Sequence, residues 1–118
     1  MNVKEAIVSF QYAERIKSGL IVASKLIDEV YRMPENERLG AEKLLISFMS
    51  ALNGEIKIAY NVSHLQSFMD ASLRVEKGVE NIRSKKFNEA IRNISQAISL
   101  TTTEGQRAIK ILEAEKIF

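Results

Sequence analysis

The sequence predicts an all-α fold, an antiparallel bundle of four to five helices joined by short turns. Three observations predict it. Apolar residues recur at alternating three- and four-residue spacings along most of the chain. One proline and five glycines in 118 residues leave long stretches that nothing breaks. No Pro/Gly/Ser-rich linker or low-complexity tract interrupts the pattern, so residues 1–118 are expected to form a single helical domain.

The first helix is expected over residues 2–32. Ala6, Ala13, Ile16, Leu20, Ala23, Ile27 and Val30 form a seam, with Ser9 filling its one gap. Ile7, Phe10, Ile21, Val22 and Leu26 lie outside that seam, so the apolar surface is broad. Met33-Pro34 ends the helix, because proline disfavours α geometry at the residue before it and suits the start of a new helix. Glu35 and Glu37 then sit where a helix dipole favours negative charge. Ala41, Leu45, Phe48 and Leu52 mark the buried side of the second helix.

Asn53-Gly54 is a strong hairpin dipeptide, and EIKIAYNV after it alternates like a strand. No partner strand precedes it, so the second helix is expected to continue, or to break briefly and resume, to about Asn61. Ser63 with Gln66 fits a capping box for the third helix, which carries Leu65, Phe68, Ser72, Val75, Val79 and Ile82. Ser84-Lys85-Lys86 is the expected turn. Ala90, Ile91, Ile94, Ala97 and Ile98 mark the next helix. Thr101 with Glu104 offers a further capping box, and Ala108, Ile109, Leu112 and Ile117 would carry a last helix.

Within that pattern Gly78, Phe87, Ala90, Ile94, Ala97 and Leu100 stand at the offsets of one tetratricopeptide unit. Residues 71–104 therefore resemble a tetratricopeptide-repeat helical hairpin. The resemblance implies small residues at a close helix–helix approach and an aromatic plugging the turn. Arg74, Lys77, Asn81 and Thr102 depart from the family's pattern, and no second unit follows. One unit implies a packed hairpin rather than a ligand groove, and no family is recognised over the whole chain.

Several chemistries are excluded. Without cysteine there are no disulfides, thiol nucleophiles or thiolate metal sites. His64 is the one histidine, and the residue three before it is Asn61, so the paired Glu-x-x-His of a di-iron bundle cannot be built. The glycines stand singly and form no phosphate cradle. No catalytic residue, metal or cofactor is expected, and the chain is read as non-enzymatic. The opening residues lack the uninterrupted apolar core of a secretory signal, and no segment is long and apolar enough to span a bilayer, so a cytoplasmic location without membrane contact is expected.

The first helix, about 45 Å long at 1.5 Å per residue, is apolar on more of its girth than so small a chain can cover. A homo-oligomer, in the first place a homodimer, is the expected outlet, with Ile7, Phe10, Ile21 and Leu26 as its surface. A separate protein partner is also compatible with such a surface. The alternative rests on charge. Net charge is only +2, but Arg83, Lys85, Lys86 and Arg92 make a basic patch, with Glu80 and Glu89 between them. In size and helicity the chain is similar to the small subunits of RNA-guided defence complexes. That likeness implies contact between those four cations and a nucleic-acid backbone.

Overall fold

The computed structural model describes residues 1–117. It contains four helices: α1 (Val3–Arg32), α2 (Glu35–Ser63), α3 (Gln66–Arg83) and α4 (Phe87–Ala114). They form an antiparallel bundle in which α1 packs on α2 and α4, and α3 packs on α2 and α4. The backbones of the diagonal pairs stay apart, so each helix has two backbone neighbours. The Cα envelope is 55 × 23 × 18 Å.

α1 buries Ala6, Ser9, Ala13, Ile16, Leu20, Ala23, Ile27 and Val30, the seam its spacing predicts. Its N-terminus is closed by a capping box. The Asn2 side chain accepts from the Glu5 N–H at 2.8 Å, and the Glu5 carboxylate accepts from the Asn2 N–H at 3.1 Å. At its other end, Arg38 Nη2 donates to the carbonyls of Tyr31 and Met33, which have no partner further along the helix. The same guanidinium lies 5.7 Å from the centre of the Phe87 ring, and Tyr31 stacks on that ring at 5.4 Å. Phe87 thus plugs the α3–α4 turn end of the bundle, as the hairpin resemblance implies.

α2 runs unbroken through Asn53-Gly54. The core explains why. Asn53 is buried, and its side-chain Oδ1 accepts from the buried Ser72 hydroxyl at 2.6 Å, so the residue that suggests a turn serves as a cross-helix partner.

Both expected capping boxes are absent. Ser63 is the last residue of α2; its hydroxyl donates to the Ala59 carbonyl and accepts from the Leu65 N–H. α3 begins after Leu65 with no side-chain cap. Thr101 lies inside α4 and donates to the Ala97 carbonyl, so one continuous helix replaces the expected pair. Glu104 faces inward instead of capping. α4 closes at Ala114, before Ile117.

Ser84-Lys85-Lys86 is the turn. Lys85 is left-handed (φ 63°), the Lys86 N–H donates to the Asn81 carbonyl, and the Lys85 N–H donates to the Ile82 carbonyl. That is a Schellman motif with lysine where glycine is usual. Ala90, Ala97 and Gly78 are all buried. A Cβ on Gly78 would lie 3.2 Å from Met49 Cε and 3.4 Å from Ile94 Cδ1, so this glycine serves a close approach.

Two apolar clusters make the core. The larger is drawn from all four helices, and the smaller joins Ala6 to Ala108 and Leu112, with Val3, Phe10 and Ile111 packed against it. Between them along the chain lie buried Ser9, Thr101, Glu104 and Gly105, a polar and small-residue layer.

Candidate interaction face

The residues of α2 that point away from the core have a pattern of their own. Gly40, Leu44, Ser47, Ala51, Gly54, Ile58 and Val62 alternate four- and three-residue spacings up to Ile58 and add a further four to Val62, and all are exposed. That is a second helical seam, uncharged and parallel to the buried one. Leu44 is 76% exposed, and Ile58 and Val62 each 54%. Gly40 and Gly54 stand in helix interior, where glycine costs about 1 kcal/mol against alanine. Among the described residues a Cβ on either would meet nothing within 4 Å, so no described contact explains them.

α1 completes this face. Arg15, Val22 and Glu29 are exposed, and their seven-residue spacing keeps them on one side. Leu26 lines a groove of about 200 Å³ with Val30, Met33, Ala41, Leu44 and Leu45. Arg15 reaches across to Glu55 at 3.3 Å. Nearer the start of α1, Val8 and Val62 line a depression of about 500 Å³ with Gln11, Tyr12 and Arg15. A cleft of about 350 Å³ adjoins it, with Met1, Lys4 and His64 on its walls.

The four residues expected to form an oligomer surface do not share one face. Leu26 is on the α1–α2 side. Ile21 is about 140° away from it around the helix, at 3.6 residues per turn. Ile7 lies two heptads from Ile21, on the flank where Phe10 packs against the α1–α4 cluster. The spacing of Leu45 and Leu52 marks only the buried side of α2 and does not reveal the exposed seam. The signal was the uncharged row between Gly40 and Val62.

The basic turn is partly neutralised. Arg83 pairs with Glu80 at 2.7 Å, and Lys85 pairs with Glu42. Lys86 and Arg92 are exposed and pair with no carboxylate among the described residues. Two of the four cations therefore already face carboxylates.

Two buried carboxylates were not anticipated. Glu42 is bound by Lys85 and keeps Oε1 unpartnered; Glu104 accepts from Ser67 and Arg107, both at 2.9 Å, and keeps Oε2 unpartnered. Among the described residues, no three His, Cys, Asp or Glu side chains cluster as metal ligands would. His64 is the exposed left-handed C-cap of α2, its ring edge-on to Tyr60. No described helix is long and apolar enough to cross a membrane.

The α3–α4 side is polar. A depression of about 530 Å³ is lined by Arg74, Lys77, Glu80 and Glu89 among others. Asn93 Nδ2 donates to Asn81 Oδ1 at 2.8 Å, so Asn93 is tied into this surface rather than left in solvent. No family model, no curated protein and no solved structure matches the chain.

Proposed function

We propose that this is a non-enzymatic interaction protein that acts as a homodimer through the outer face of α1 and α2. The observation that carries the reading is the exposed uncharged seam from Gly40 to Val62. A monomer gains nothing from Leu44, Ile58 and Val62 held in water on one uncharged stripe, and contiguous apolar surface marks contact sites. The size is suitable. At 1.5 Å per residue and about 10 Å of width per helix, the face spans on the order of 650 Å² in projection. A standard interface buries roughly 800 Å² per partner. A second copy supplies the same uncharged α2 seam, which favours it over a charged ligand.

The nucleic-acid reading has less support, because two of its four cations already face carboxylates. Sedimentation velocity over a concentration series tests the dimer. A species of twice the chain mass at micromolar concentration is expected, and a monomer throughout would sink the proposal.

A further inference from the structure

We infer that the two copies pack antiparallel, about a two-fold axis that passes between Ser47 and Ala51 of α2 and beside Val22 of α1. The inference rests on the dimer reading above and adds its register.

The glycines are the starting point. Gly19 and Gly78 each abut a side chain of another helix, but Gly40 and Gly54 have open space where a Cβ would be. Both lie on the exposed seam, interleaved with its large residues. A two-fold axis between Ser47 and Ala51 reverses the seam against itself. Leu44 then comes opposite the partner subunit's Gly54, and Ile58 comes opposite the partner subunit's Gly40. Ser47 faces the partner subunit's Ala51. Leu44 and Ile58 each meet a residue that has no side chain, which is how knobs fill holes at close helix separation. Moving the register one heptad either way places Leu44 opposite Ser47 of the partner subunit or Asn61 of the partner subunit. None of Leu44, Ile58 and Val62 then faces a glycine, and only the small Ala51 does.

α1 supports the same axis independently. Contact of Gly19 with Leu52, and the Arg15–Glu55 pair, fix the level of α1 against α2. They set Val22 level with the Ser47–Ala51 step. The axis therefore brings Val22, itself exposed, against the partner subunit's Val22. Arg15 and Glu29 stand one heptad to either side, so Arg15 comes level with the partner subunit's Glu29. Opposite charges meet twice, at the two ends of a self-complementary contact. An axis running along the helices would instead lay α1 over the partner's α2, and neither the glycines nor Val22 would meet these mates.

The chain has no cysteine, so a single introduced thiol reports on one position. Val22→Cys should form a disulfide-linked dimer under mild oxidation, since only Cα atoms about 4.4–6.8 Å apart can be bridged. Leu26→Cys, displaced about 12 Å from its mate by the reversal, should not. Gly54→Leu should weaken the dimer about 10- to 100-fold by overfilling the site that receives Leu44, with unchanged helicity by circular dichroism. A stable wild-type dimer in which Val22→Cys fails to cross-link, or Gly54→Leu associates normally, overturns this register while leaving dimerisation intact. A wild-type monomer overturns both.

Discussion

The two helical hairpins of this bundle make opposite use of the same geometry. In α3–α4, small residues turn inward: Gly78, Ala90 and Ala97 are buried, and the outer surface carries Arg74, Lys77, Glu80, Asn81 and Asn93. In α1–α2, small residues also turn outward, and Gly40, Ser47, Ala51 and Gly54 alternate there with Leu44 and Ile58. A hairpin finished with polar groups needs nothing more from its surroundings. One that leaves an uncharged seam in water still has apolar area to bury. The difference shows that one bundle can carry two kinds of surface, and that outward glycines deserve a reason as much as inward ones.

The strongest way to break that comparison is a charge on each side. Leu44→Glu should cost about 3–5 kcal/mol of association free energy, the penalty of an uncompensated buried charge. Leu73→Glu, on the polar hairpin, should leave association unchanged although Leu73 is also exposed. Sedimentation equilibrium of the two variants decides, and equal losses would erase the distinction.

Overpacking the inward side comes next. Ala97 is fully buried, so Ala97→Leu should destabilise the fold by about 1–3 kcal/mol. Urea denaturation reads this, and a midpoint equal to wild type would mean that the α3–α4 approach is looser than described. The polar finish of the same hairpin is worth less. Asn81→Ala removes the shorter of the two hydrogen bonds that the Asn93 amide donates and should cost about 1 kcal/mol, the net value of one such bond.

The smallest effect has the opposite sign. In the monomeric Leu44→Glu background, Gly54→Ala should raise fold stability by up to about 1 kcal/mol, because a Cβ there touches nothing. Gly78→Ala should gain less, since Met49 must yield at 3.2 Å. If Gly54→Ala destabilised the monomer, the glycine would have a role within the chain after all.

Much of the fold was legible. The α1 seam is buried residue for residue, because a 3.6-residue period needs no tertiary information to be seen. Pro34 marked its end for the same local reason. The Asn2–Glu5 capping box is also readable, as Asn-x-x-Glu before an apolar run. Ser63–Gln66 and Thr101–Glu104 show the opposite error. They have the spacing of caps, but a hydroxyl inside a helix can bond the carbonyl one turn back, and both Ser63 and Thr101 do so.

By itself, the sequence determined that the chain is helical, where its proline and its lysine turn divide it, and which stripe of α1 faces inward. These follow from local sterics and from periodicity, which each residue shares only with its near neighbours. Only the tertiary structure decided that Asn53 is a buried acceptor for Ser72, that Glu42 and Glu104 face inward with a cation each, and that Leu26 and Ile21 look away from each other. It alone distinguished Gly78, which has neighbours, from Gly40 and Gly54, which have none. The reason is physical. A side chain's energy depends on what lies across the gap, and that neighbour comes from a distant part of the chain, or from none of it.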